Sequence, residues 1–550
     1  MLRLKSILLL LFFYCCSCST RKQADLLVYN ATIYLVDSAF TTTEAMVIKG
    51  GHIEATGTAA DLEKEYQVKE KLDAGGKFIY PGFIDAHAHF AGYSASLQTA
   101  DLVGSESWEE VLQRLKDFAG KLEPDQWLTG RGWDQNDWPV KKFPDNKMLD
   151  QLFPDRPVLL SRIDGHAAIA NSKALELAGI KAGQKIEGGE IETAGGKLTG
   201  ILVDNAIGLV GRKIPSQDRE QMKQAFLDAQ KNCFAVGLTT IDDCGLSASA
   251  VDEIKAMQDE GSLKMRLYIM LSDAEKNYEY LEKNGIIKTD RLHVRGFKVY
   301  GDGALGSRGA CLLQPYSDRP DSHGFLLSPP AHFDSVAARI AKGGFQMCTH
   351  AIGDSGNRTI LRAYARHLEP GNDRRWRIEH AQVVNQDDFE WFGKYSIIPS
   401  VQPTHATSDM YWAEDRLGAT RVKGAYAFKD LMNQNGWIAL GTDFPVEDIS
   451  PFKTFFAAVA RQDSKGWPEK GYQTENALDR VQTLRGMTIW AARSNFEEKE
   501  KGSLEPGKFA DFIILDRDIM KADINDVLNT LVIKTYLGGE LVFENKTASN

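Results

Sequence analysis

Eight apolar, β-rich runs recur along the middle of this chain, each separated from the next by a longer stretch of helical character. They are Phe83 to Ala88, Leu238 to Asp243, Met265 to Leu271, Gly296 to Tyr300, Gln346 to His350, Arg377 to His380, Ile397 to Gln402 and Ile438 to Asp443. Such alternation marks parallel βα units, because neighbouring parallel strands need a crossover long enough to hold a helix. Eight units predict an α/β chain folded as a closed (β/α)8 TIM barrel. The gap between the first and second runs far exceeds the dozen or so residues that a crossover requires. An inserted subdomain is therefore expected over roughly residues 93–230, within a barrel domain spanning 81–503.

Both flanks of the barrel are β-like. Leu26 to Tyr29, Thr32 to Val36 and Ala45 to Ile53 precede it, the last with Gly50-Gly51 as a hairpin signal. Phe509 to Leu515 and Val532 to Leu537 follow it, and Gly538-Gly539 turns into Leu541-Val542-Phe543. One small β-sandwich built from both termini, residues 25–80 and 504–545, is the expected second domain.

The 550 residues are 43% hydrophobic and 25% charged. That is ordinary globular composition, which excludes wholesale disorder, a fibre and a polytopic membrane protein. With 65 basic and 75 acidic residues the net charge is −10, and no basic block stands out, so a nucleic-acid partner is not expected.

Residues 1–17 read as an export signal. Arg3 and Lys5 supply the positive start, and Ile7 to Tyr14 is an apolar run much shorter than the ~20 residues of a membrane span. A small residue, Ser17, before Cys18 resembles a bacterial lipobox, although Cys15 stands where an aliphatic residue is usual. Lipidation of Cys18 would hold a mature lipoprotein on the envelope membrane, periplasmic or at the outer surface. An ordinary signal cut nearby, or an uncleaved anchor, is the alternative. The later cysteines, Cys233, Cys244, Cys311 and Cys348, form no CxxC pair and read as free thiols.

The candidate chemistry falls at the ends of the runs. His87 and His89 end the first, and residues two apart on a strand share a face, so both imidazoles can reach one metal ion. Lys298 lies inside the fourth run, where a lysine is costly unless paired or chemically changed. It could point outward, neutralise Asp302, or react with CO2 to give a carbamate that bridges two metals. His350 closes the fifth run, His380 the sixth and Asp443 the eighth. Any one histidine alone reads as structural, but candidate groups at the ends of five strands of one barrel do not. His166, in the insert, and His405, after the seventh run, could contact substrate or serve as hydrogen-bonded wall residues. Asp302 and Arg308 follow the fourth run and are candidates to face the pocket. Trp127, Trp133 and Trp138 cluster in the insert with Arg131 and Asp134; they could cap a bulky apolar substrate, but read first as core of the insert.

This motif set, His87/His89, Lys298, His350, His380 and Asp443 in that order, resembles the amidohydrolase superfamily over residues 25–545. Asp164-Gly165-His166, Gly301 to Arg308, Thr349 to Asp354, Gln402 to His405 and the tail Gly502 to Asp511 look like the YtcJ-like branch, which includes N-substituted formamide deformylases. The resemblance implies two divalent ions, of which Zn²⁺ suits the ligands. His87, His89 and Asp443 would bind one, His350 and His380 the other, with carboxylated Lys298 between them. A metal-activated hydroxide would attack the carbonyl of a small amide, N-formyl or cyclic amide, with Asp443 as general base and His166 as a further catalytic residue. His405, Asp302 and Arg308 would contact substrate. A deaminase on the same site, or a ligand-binding lipoprotein on a retired barrel, are the alternatives. Homodimerisation is left open.

Overall fold

The computed structural model describes residues 21–123, 126–215 and 219–546; the signal segment and Cys18 lie outside them. The barrel strands are β1 (Phe83–Ala88), β2 (Leu238–Leu246), β3 (Arg266–Ser272), β4 (Leu292–Tyr300), β5 (Gln346–Ala351), β6 (Arg377–His380), β7 (Ile398–Val401) and β8 (Ala439–Leu440). They pair in parallel in chain order, from β1 through to β8. The amide of Asp443 then donates to the carbonyl of His87 at 2.7 Å, tying the end of the eighth strand back to the first. Every residue of β1, β5, β6 and β7 is buried, as expected for a parallel sheet covered on both faces.

Strand β8 is shorter than the run from Ile438 to Asp443 predicts. After Leu440 the backbone leaves the ladder: Thr442 N donates to the Asp85 carboxylate at 3.0 Å, and Asp443 takes a left-handed φ of 64°. His380, at the end of β6, is left-handed too, with φ 72°. Two non-glycine residues in this sparsely populated region, both at the barrel mouth, mark backbone strain held by the surrounding structure.

The barrel interior is polar beneath the mouth. Arg377 donates to Asp242 at 2.8 Å, and both are fully buried. Asp85 accepts from the Thr442 hydroxyl at 2.6 Å. Burial pushes the carboxyl groups of Asp85 and Asp242 up to about 7.

The segment between β1 and β2 carries its own six-stranded sheet, in the order Gly189–Ala194, Lys197–Asp204, Ala167–Ala170, Val158–Arg162, Leu128–Trp133 and Ala100–Asp101. Trp133 and Trp138 are buried in its core with Leu102, Leu112, Leu149 and Leu160. The terminal β segments join in one hydrogen-bonded sheet, where Phe512–Leu515 pairs antiparallel with the end of Tyr66–Pro81. That sheet has apolar cores on both faces, one around Met46, Ile79 and Phe512 and one around Leu27, Val47 and Leu62. Among the described residues no helix is long and apolar enough to cross a membrane.

Candidate metal centre

The mouth of the barrel and the inserted sheet enclose a cavity of about 1100 Å³. His89, Lys298, His350, His380, His405 and Asp443 line it from the barrel, and Arg131, His166 and Asp204 from the insert. His87 sits just beneath, fully buried.

Asp443 is the meeting point. Its Oδ1 lies 3.1 Å from His89 Nε2 and 3.5 Å from His87 Nε2, and its Oδ2 lies 3.6 Å from His405 Nε2. Two donor sets converge there, His87–His89–Asp443 and His380–His405–Asp443, each with its ligand atoms within 4.8 Å of one another. The first set is the expected one. The second replaces the expected His350 with His405, whose ring stacks on His380 at 5.8 Å. His350 remains adjacent, its ring 4.6 Å from His380 and 5.0 Å from His166, but its Nε2 faces the Gly303 carbonyl at 3.4 Å.

Lys298 points inward. Its Nζ lies 3.0 Å from His87 Nε2, and the side chain is buried. Burial works against its charge, but Cys244, Tyr300, Glu379 and Asp443 around it raise its pKa overall. The histidines are tuned the other way. Burial first, then the charge of Lys298, pushes His87 down to about 4, and His350 and His380 are held well below the usual range mainly by burial. Neutral imidazoles are the form that binds metal. Burial alone would raise the carboxyl of Asp443. The close approach of His89 Nε2 and the field of His87, His89 and His380 instead hold it well below the ordinary range.

The rings are held from behind. Glu379 accepts from His87 Nδ1 at 2.6 Å and the Cys244 carbonyl from His89 Nδ1 at 3.1 Å, leaving both Nε2 atoms toward Asp443. In the insert, His166 Nδ1 lies 2.5 Å from Asp204 Oδ1. Burial disfavours the imidazolium of His166, but Asp204 outweighs it and raises its pKa. Asp204 is almost fully buried, has a left-handed φ of 51°, and leaves its Oδ2 without a partner. Gly303 packs on it so closely that a Cβ there would meet the carboxylate at 2.5 Å.

Two expected substrate contacts lie elsewhere. Asp302 is fully buried and accepts from the amides of Ile352, Gly353 and Cys311 at 2.8–2.9 Å, so it braces the loop after β5 rather than facing the cavity. Arg308, with a left-handed φ of 62°, turns away to Asp318 at 2.8 Å and lines a separate, smaller cavity. Glu379, Asp204 and Tyr300, whose ring lies 5.5 Å from that of His350, are site residues the sequence reading passed over. The signal for Glu379 was available: Arg377 and Glu379 alternate inside a short buried strand, which needs an internal partner for each.

Comparison with known proteins shows the family. The Amidohydrolase family profile matches residues 70–543. Protein LONG AFTER FAR-RED 3 of Arabidopsis thaliana is 33% identical, covering 94% of this chain and 92% of its own length. The putative amidohydrolase YtcJ of Bacillus subtilis is 31% identical, with 94% and 99% covered. An N-substituted formamide deformylase of Arthrobacter pascens is 26% identical, with 95% and 99% covered. Among solved structures, an uncharacterized metal-dependent hydrolase from Pyrococcus horikoshii OT3 superposes with a TM-score of 0.74 at 29% identity, covering 91% of this chain and 99% of its own.

Proposed function

Because the chain belongs to the amidohydrolase family, we propose that it cleaves a carbon–nitrogen bond in a small amide, N-formyl or cyclic amide substrate, with bound divalent metal and with Asp443 as general base. The observation that carries this reading is the convergence of His87, His89, His380 and His405 on one buried carboxylate.

The residues fit a metal on their own chemistry. His380 Nδ1, His405 Nε2 and Asp443 Oδ1 are buried without a hydrogen-bond partner, a costly arrangement that a cation relieves. Imidazole nitrogen and carboxylate oxygen are donors that zinc accepts. His87, His89 and Asp443 would hold one ion. His380, with His350 or His405, would hold a second. An ammonium on Lys298, 3.0 Å from His87 Nε2, would compete for the lone pair a metal needs. Its carbamate would replace that positive charge with a carboxylate-like anion able to bind divalent ions, which favours carboxylation of Lys298.

When bound, divalent ions lower the pKa of coordinated water toward ~7 and polarise a carbonyl. Asp443 accepts the proton released on attack, despite its low pKa, because attack itself makes that proton more acidic. It then delivers the proton to the leaving nitrogen. His166, oriented by Asp204, faces the carbonyl oxygen from the opposite wall, a role worth about 10²–10³ in rate. The inserted sheet roofs the cavity and limits water. Acylation of Cys18 would tether this enzyme to a bacterial envelope membrane.

The test is metal analysis of the purified protein beside hydrolysis of a panel of N-acyl, N-formyl and cyclic amides. Metal-dependent release of amine from at least one amide is expected. Activity confined to ring amines would point to the deaminase alternative.

A further inference from the structure

The cavity walls carry the cations Arg131, Arg162, Lys298 and Lys453. Two of them are ion-paired, and Lys298 belongs to the metal centre. Arg162 is held by Asp134 and Asp164, Lys453 by Asp448 at 2.6 Å, and Lys298 lies against His87. Arg131 is different. Its Nη2 donates to the Ile163 carbonyl at 2.7 Å, its buried Nε has no acceptor, and it forms no ion pair among the described residues.

The backbone around Arg131 is built to aim this side chain. The pairing of strand Leu128–Trp133 with Val158–Arg162 slips between Arg131 and Trp133, a bulge of the kind that redirects side chains beside binding sites. Gly132 in the bulge has φ 113°, and a Cβ there would meet the backbone nitrogen of Val103 at 2.7 Å. Gly165, with φ 71°, lies beside Nη1: a Cβ at that position would sit 3.5 Å from it. Gly165 is also the residue before His166, and Arg131, Gly165 and His166 line the same cavity.

A largely buried guanidinium that Asp443 and Asp164 reach only through space, with no carboxylate in contact, is costly, and it stays charged at any physiological pH. A ligand that brings an anion to it removes the cost. We propose that Arg131 is an anchor for a carboxylate on the substrate, so that the amide cleaved by this site also carries a carboxylate group. The planar fork of arginine matches a carboxylate or a phosphate. The cavity also holds Asp134, Asp137, Asp164, Asp204, Asp409, Asp443 and Glu447, which penalise a dianion more than a monoanion and favour the carboxylate. This inference rests on the amide-hydrolase reading for the other half of the substrate only. The anion preference itself is measured by binding.

The experiment is calorimetric titration of the metal-loaded protein with N-formylglycine and N-acetylphenylalanine, each against its own carboxamide and its own phosphonate analogue. Metal content and melting temperature are recorded for the parent, Arg131→Met and Arg131→Lys. At least one carboxylate is expected to bind more tightly than its carboxamide by about tenfold to a hundredfold, the worth of a charge-assisted hydrogen bond. Arg131→Met should erase that preference with metal content unchanged, and Arg131→Lys should keep part of it. A preference that survives in Arg131→Met would assign the anion to the metal and overturn the proposal. So would a panel in which no carboxylate exceeds its carboxamide, or one in which phosphonates bind best. Carboxylate preference without turnover would leave this inference standing and remove the hydrolase reading.

Discussion

Glu379 Oε2 lies 2.6 Å from His87 Nδ1, and both side chains are fully buried. The pair fixes which nitrogen of His87 carries the proton and turns Nε2 toward Asp443 and Lys298. A carboxylate in this position raises the basicity of a ligating imidazole, and its loss typically weakens metal binding 10–100-fold. Glu379→Gln should therefore lower metal affinity by about that factor while the fold persists. Chelator competition reads it directly, and an unchanged affinity would remove Glu379 from the site.

Much of this was legible in the residues before any coordinates. The His87/His89 pair and the strand-end positions of His350 and His380 follow from alternation and spacing alone, whereas Asp443 lies past the last paired residue of β8. What the sequence hides is where side chains turn after a strand ends. Asp302 and Arg308 follow β4 as candidate pocket residues, yet one folds under the loop after β5 and the other swings to Asp318. The reach of His405 into the second donor set comes from the helix Pro403–Asp409 after β7, which stacks its ring on His380. Asp204 reaches His166 across 38 residues, through the pairing of Ala167–Ala170 with Lys197–Asp204, which no local pattern reveals.

Asp443→Asn keeps the size of the side chain and removes the base. Turnover should drop by roughly 10²–10⁴, the usual range for general acid–base catalysis, with the second metal largely retained. A variant within a few-fold of the parent rate would send the proton through another residue, with His166 next to examine.

Glu497 gives a pH prediction for stability. It is buried with Lys501, 2.8 Å away, and with Lys288 and His293. Burial alone would raise its carboxyl, but Lys501, His293 and Lys288 around it hold it well below its ordinary 4.5. A depressed folded-state pKa stabilises fully above the unfolded value and is lost as pH falls below it, because the unfolded chain takes the proton first. Glu497→Gln should cost about 3–5 kcal/mol at neutral pH, as for breaking a buried ion pair. The gap to the parent should narrow as pH drops from about 5 to about 3. Urea unfolding at several pH values measures it, and a gap independent of pH would contradict the account.

Cys18→Ala should release the protein from the membrane fraction or leave it unprocessed. Mass spectrometry of the parent should find a lipid on Cys18. A mature N-terminus elsewhere, without lipid, would refute the anchor.

The central claim is metal-dependent hydrolysis at the His87–His89–Asp443 corner. Its most direct test is elemental analysis per chain, paired with amide hydrolysis before and after chelation, in the parent and in His87→Ala and His89→Ala. The account predicts two divalent ions in the parent, and hydrolysis lost with the chelator and restored by Zn²⁺. Both variants should be folded, depleted of metal and inactive. Full hydrolysis by chelated parent, or by either variant without metal, would contradict it.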